Sequence, residues 1–384
     1  MRNKITKDLS PEKYVFIIDS ISSAFALATW ASKKSIKCIY ECKQIDWRKA
    51  DYVKLFDIIL SDVKMSEKVL VEVPHPYFLH TTSILETVKN QRSFIKKVFN
   101  IFPLNPRMIY CSCSTSSILI ANKNRVIHLL IDEGMGSVIA RNRSKGATKW
   151  LRFLDAFKKN LAEIIFPFRF KNSVPQITLT NDNHPSAVLH LDYRQFNSHL
   201  FEIAIEPLVK KTNEFQCNIL VLVKGPSDSG GEHVKEGQWN SGIYIDFNID
   251  VIRRFMEIAQ IPKGAMFYLK THPSLGKCPA MIDELVSSLA ILGIEACGVS
   301  SLIEFEESSS LPAEGLLRYG KFQYLLASDV SSSLWNIAHF KEVICYSPLE
   351  AVIKLVKIEN SPHEKLYRYQ YELNRIMGGF VNFF

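Results

Sequence analysis

The sequence lacks any apolar stretch approaching the roughly 18 residues that a membrane-spanning helix takes. Its longest runs, Tyr14–Ile18, Ser23–Ala31 and Ile164–Phe168, stop well short. No secretory signal is legible, because the first apolar run after the basic N-terminal residues is interrupted at Asp19. The strand candidate ending at Ile18 is followed by Asp19 and serines rather than a GxGxxG, and no GxxxxGK[ST] occurs anywhere. Hydride transfer and P-loop chemistry lose support for that reason. RNP, helix-turn-helix and zinc-finger patterns are missing as well, which argues against nucleic acid as a partner. The eight cysteines form no framework. Cys38, Cys42, Cys217, Cys278, Cys297 and Cys345 stand singly, where a thiol packs as a small hydrophobe, and Cys111 and Cys113 are too close for a zinc knuckle. A soluble, cytoplasmic chain with reduced thiols and no bound metal is the expectation.

What is present is ordinary for a folded protein: 47% apolar and 22% charged residues. That composition excludes disorder, collagen and coiled coil. A length of 384 residues exceeds what one core usually organises and implies two domains. The net charge of +8 is concentrated: between Arg141 and Lys171 nine basic residues face only Asp155 and Glu163, an excess of +7. Trp150, Phe153, Phe157, Phe166, Phe168 and Phe170 are interleaved with it. Such a window suits an anionic membrane surface or a polyanionic ligand, or is the solvated face of a helix whose other side is core.

Short β-rich runs alternate with helical patterns along the whole chain. Tyr14–Ile18, Ile36–Tyr40, Val69–Val73, Met108–Cys111 and Val126–Ile131 read as strands, with helices such as Ala24–Lys33 and Ser83–Phe99 between them. Residues 167–185 break the rhythm with polar and turn residues. The second half resumes it with strands Asn218–Lys224, Met266–Lys270, Gly293–Cys297, Phe322–Leu326 and Val343–Tyr346, and helices Asp250–Ala259, Ala280–Leu292 and Ser331–His339. Strand, helix, strand is the pattern of a parallel sheet covered on both faces. The expected organisation is two Rossmann-like α/β domains, 1–185 and 186–360, and a C-terminal helix over 361–384 that packs back on the first. This describes GT-B glycosyltransferases, but also periplasmic binding proteins and some dehydrogenases, so fold alone leaves function open.

Four strand ends carry candidate chemistry. The apolar run ending at Ile131 opens into Asp132 and Glu133, then Gly134 and Gly136. Adjacent carboxylates raise the pKa of one of the pair, which suits a general base, although an Asp/Gly turn without chemistry has the same pattern. Gly225 begins a small-residue loop after Lys224, able to bring backbone N–H groups near a phosphate or simply to turn. His272 and Pro273 follow the strand Met266–Lys270, and a histidine there can donate a proton to a phosphate. Glu314 lies in a Leu-Pro-Ala-Glu run that opens a short helix, and Ser331, Ser332 and Ser333 open another. Three serines exceed what one cap needs.

In this order the segments Asp132-Glu133-Gly134, Lys270-x-His272-Pro273 and Ser331–Leu334 resemble the bacterial sialyltransferases, and the capsular polysialyltransferases above all. The Pro312-x-Glu314 before the serines is shared with the lipooligosaccharide sialyltransferases. The resemblance implies a GT-B enzyme, its parallel sheets facing across a cleft, that uses CMP-sialic acid, inverts configuration and needs neither metal nor cofactor. In it Glu133 would be the base on the acceptor hydroxyl, with Asp132 its neighbour or alternate. Gly134 would line the same turn and Pro273 the donor site, while Gly225 is assigned to the substrate from its own small-residue loop alone. His272 would assist departure of the CMP phosphate, Ser332 and Ser333 with Ser331 would hold that phosphate, and Glu314 would contact ribose or base. Lys158 and Lys159, in the basic window, would draw a sialylated or other oligosaccharide acceptor, lipid-linked at the anionic inner face of the bacterial inner membrane. Rival readings are a single-transfer lipooligosaccharide enzyme, a GT-B transferase for another CMP- or CDP-activated donor, and a non-catalytic polyanion-binding protein.

Overall fold

The computed structural model describes residues 14–18, 21–31, 36–40, 52–63, 65–70, 107–110, 129–131, 176–178, 187–225, 241–271, 279–303, 305, 308, 311–328, 331–358, 370–371, 374–375 and 378–384. The chain divides into two compact units, Met1–Asp46 with Tyr52–Ser198, and Trp47–Asp51 with His199–Phe384.

The first unit holds β1 (Tyr14–Ile18), α1 (Ile21–Ala31), β2 (Ile36–Tyr40), α2 (Tyr52–Ile59), β3 (Met65–Leu70), β4 (Arg107–Tyr110), β5 (Leu129–Ile131), β6 (Gln176–Thr178) and β7 (Ala187–His190). The described strands form one sheet in the order β3-β2-β1-β4-β5-β6-β7, parallel at every pairing. β1 reads YVFII, the unbroken apolar run of a strand covered on both faces. α1 is buried over Ala24–Ala28, where its apolar residues run all round rather than along one stripe. The first unit extends beyond residue 185, because β7 pairs with β6.

The second unit holds α3 (His199–Ala204), α4 (Glu206–Glu214), β8 (Asn218–Leu222), α5 (Ser241–Ile258), β9 (Met266–Lys270), α6 (Pro279–Ile291), β10 (Glu295–Gly298), α7 (Ala313–Tyr319), β11 (Tyr324–Ala327), α8 (Ser332–Ala338), β12 (Ile344–Ser347), α9 (Leu349–Ile358) and β13 (Val381–Phe383). Its described strands run β10-β9-β8-β11-β12-β13, again parallel throughout. In both sheets the winding reverses direction after the third strand, the doubly wound order whose crevice opens at the carboxyl ends of the strands either side of the reversal. In the second sheet those strands are β8 and β11. The terminal residues add β13 to this second sheet, beside β12.

Alternation decides which face of β8 and β9 is core. Ile219, Val221, Phe267 and Leu269 pack on Val251, Ile252 and Phe255 of α5 and on Met281, Ile282, Leu285 and Leu289 of α6. The residues between them in register, Leu220 with Tyr268 and Leu222 with Lys270, therefore point to the opposite face. There Asn218, fully buried, fastens the start of β8. Its Nδ2 is shared among the carbonyls of Thr212 (2.8 Å), Phe215 (3.2 Å) and Lys321 (2.9 Å), and its Oδ1 accepts from the Tyr268 hydroxyl at 3.1 Å. A buried amide satisfied on both ends costs little and fixes the strand against α4.

Candidate active site

The carboxyl ends of β8, β9 and β11 gather polar side chains that the apolar strands would otherwise not tolerate. Lys224 follows β8 and is fully buried; its Nζ donates to the Gly225 carbonyl at 2.6 Å. The backbone around it is held by Asn248 of α5, whose Oδ1 accepts from the Lys224 N–H (3.1 Å) and whose Nδ2 donates to the Lys224 carbonyl (2.8 Å). Gly225 is thus pinned, its carbonyl taken by an ammonium, at the entrance to a loop that lies outside the described residues. Beside it the Val223 N–H donates to the Lys270 carbonyl at 2.9 Å, and the Ser328 N–H to that of Leu222 at 3.0 Å. The three strand ends are therefore bonded together.

Lys270 closes β9 and is only 4% exposed. Burial pushes its amine down to about 8, while the Glu314 carboxylate holds it up against that fall. Its Nζ donates to the Thr271 carbonyl at 3.1 Å. Glu314 stands in the first turn of α7, 6% exposed, and its Oε1 accepts from Nδ2 of Asn336 on α8 at 2.9 Å. α7 comes close enough to supply this carboxylate because Gly315 has no side chain: a Cβ there would lie 2.5 Å from Cζ of Phe201 on α3.

Ser328, immediately past β11, is fully buried, and its Oγ has no hydrogen-bond partner among the described residues. Ser331 sits at the capping position of α8, yet its hydroxyl makes no capping bond. Ser333 is buried in the first turn. A serine that does not cap its helix and another left unsatisfied are hydroxyls available to something else.

Of the residues singled out in the sequence, Gly225, Glu314, Ser331, Ser332 and Ser333 fall at the ends of these strands and the helices that follow, Ser332 as the first residue of α8. Asp132, Glu133 and Gly134 lie outside the described residues, directly after β5. His272 and Pro273, next along the chain after Thr271, lie outside them too, as do Lys158, Lys159 and the rest of the basic window. Sequence reasoning did not single out Lys224, Lys270, Ser328 or Asn336 as site residues. The first two carried a signal, a single lysine closing a run of otherwise apolar strand residues; Asn336 carried none. Burial pushes the thiol of Cys297 up to about 11 and that of Cys345 up to about 12, so neither of these two is a ready nucleophile. Among the described residues no group of three or more His, Cys, Asp or Glu side chains is placed to hold a metal ion, and no helix is long and apolar enough to cross a membrane.

No protein-family model matches the chain, and no curated protein matches it. Among solved structures it is similar to an α/β-galactoside α-2,3-sialyltransferase from Photobacterium phosphoreum, with a TM-score of 0.51 and 12% identity over 96% of this chain and 97% of that one. The GT-B domain of a Photobacterium damselae sialyltransferase gives 0.48 and 12% over 96% and 99%, and Acinetobacter baumannii MurG gives 0.42 and 8% over 96% and 93%. The first likeness and the two doubly wound sheets together establish an α/β chain of the GT-B class.

Proposed function

We propose that this chain is a glycosyltransferase that moves sialic acid from CMP-sialic acid to a glycan acceptor, and that it is of the polymerising, capsular kind. The observation that carries the reading is the cluster at the second sheet's reversal point: hydroxyls of Ser328, Ser331 and Ser333 with the Glu314 carboxylate and the Lys270 ammonium, on the strand ends of a GT-B chain. A CMP-sugar presents a phosphate and a ribose diol, and those are the groups that hydroxyl donors and an oriented carboxylate recognise.

In the proposed reaction Glu133, with Asp132 beside it, takes the proton from the acceptor hydroxyl as that oxygen attacks the anomeric carbon. The bond from that carbon to the CMP phosphate oxygen breaks through an oxocarbenium-like transition state, with inversion. His272 donates a proton to the departing phosphate, and Ser331–Ser333 stabilise its charge, so no metal is called on. Gly134 belongs with Glu133 on the acceptor side, and Gly225 and Pro273 with the donor. Lys158 and Lys159 draw a polyanionic or lipid-linked acceptor at the anionic inner membrane leaflet.

The test is purified protein with CMP-sialic acid, lactose-type and sialylated acceptors and EDTA, following CMP release and product size. A ladder of products is expected. A single added sugar would reassign it to the lipooligosaccharide kind. Tight CMP binding without release would point to another activated sugar, and neither binding nor release would overturn the enzyme reading.

A further inference from the structure

Between α5 and α9 of the second unit runs a groove of about 510 Å³ that has no part in the strand-end cluster. Its floor is apolar, with Phe247 and Val251 from α5 and Leu355 from α9. Its rim is charged in both signs: Asp250, Arg253, Arg254 and Glu257 on α5 and Lys354 on α9, all five exposed. Asp250 with Arg254, and Arg253 with Glu257, stand four residues apart, the spacing at which ion pairs close along a helix. Among the described residues neither pair is closed, and Lys354 makes no ion pair either. Arg254 instead lies over the Phe384 ring, 5.8 Å from its centroid, a contact that steadies the guanidinium and leaves its N–H groups available to a carboxylate.

The same stripe of α5 continues past the groove at both ends. At the helical repeat Ile243, Phe247, Asp250, Arg254 and Ile258 share one face, and the two isoleucines are 46% and 51% exposed. Exposed apolar side chains at both ends of an apolar-floored groove mark a contact surface. The charges decide what covers it. Asp250 and Glu257 would repel an anionic membrane or a polyanion. A face that carries its own complement of both signs instead fits a copy of itself turned about a two-fold axis. We infer that two copies of the chain associate through this face, their α5 helices antiparallel. Arg254 of each then meets Asp250 of the other, and the Ile243 end of one helix lies over the Ile258 end of its counterpart. None of these residues belongs to the candidate active site, so the association stands whether or not the nucleotide-sugar reading does.

Sedimentation velocity of the full chain over a concentration series tests this. Wild type should pass from monomer to dimer as concentration rises. D250R and R254D each set like charges against one another across the axis, at exposed positions, and should each weaken self-association by at least about tenfold. Mixing the two variants in equal amounts restores both pairs and should give a mixed dimer. The double variant D250R/R254D should likewise self-associate again, and either recovery shows that the variants fold. A wild type that stays monomeric at every concentration would overturn the inference, whatever else the groove takes up. So would a dimer that D250R and R254D leave intact, or a mixture that does not recover.

Discussion

Lys270 makes a pH dependence that can be worked out by sign. Its amine falls from the usual 10.5 to about 8 in the folded chain, chiefly through burial, with Glu314 opposing. Below pH 8 both states carry the proton and the whole cost of burying the ammonium is felt. Between about 8 and 10.5 the unfolded chain holds more protons than the folded one, so stability rises with pH through this group. The span corresponds to something on the order of 3 kcal/mol. Chemical denaturation at pH 7 and at pH 10 should therefore show wild type gaining on K270M; an unchanged difference would mean Lys270 is not titrating in that range. Glu133 and His272 belong to the same scale. If they are the proposed base and acid, Glu133→Gln and His272→Ala should each lower kcat by about 10²–10⁴-fold while CMP affinity falls far less for Glu133→Gln. Loss of CMP binding in Glu133→Gln with kcat preserved would reassign it to binding the nucleotide.

At the level of elements, the approach of α7 to α3 decides whether Glu314 reaches its place, and two opposed effects meet at Gly315. Helix propensity alone would make Gly315→Ala stabilising by about 1 kcal/mol. The added Cβ, however, meets the buried Phe201 ring at 2.5 Å, and overpacking of that kind costs about 1–3 kcal/mol. Gly315→Ala should lower the denaturation midpoint, and Phe201→Leu in the same chain should recover part of the loss. A variant as stable as wild type would show that α7 shifts freely. These elements also show what a sequence makes legible. β1, β2 and β9 are legible at the bounds they have, because each is an unbroken or nearly unbroken apolar run between polar residues. β6 escaped, being three residues long, Gln176–Thr178, inside a stretch whose polar and turn residues read as a junction. The run Asn218–Lys224 reads two residues longer than the strand it forms: hydrophobic pattern carries through Val223, while β8 stops at Leu222. Glu314 stood out by its run of neighbours and the serines by their number. That an asparagine 22 residues beyond Glu314 would grip it depends on how α7 and α8 pack, which no periodicity encodes.

Over the whole molecule the charge is divided as unevenly as the chemistry. The window Arg141–Lys171 holds +7 of the net +8, so the other residues together are nearly neutral. A strongly basic segment in a sequence otherwise close to net neutral is suited to polyanions, and at physiological salt such attraction reaches only about 8 Å. The nucleotide-binding groups proposed here reside in the second unit, on β9, α7 and α8, whereas the window belongs to the sequence of the first. Charge reversal in the window should therefore separate the two substrates. In K158E/K159E the KM for long sialylated acceptors should rise, the more so at low salt, and attachment to vesicles containing anionic lipid should weaken. The KM for CMP-sialic acid should stay near its wild-type value. If the proposed polymerising role holds, each added sialic acid brings one more carboxylate for the window, so a short neutral acceptor such as lactose should be indifferent to the reversal. If CMP affinity fell in step with acceptor affinity, the window would be serving the donor, and the proposed division of labour between the two units would be wrong.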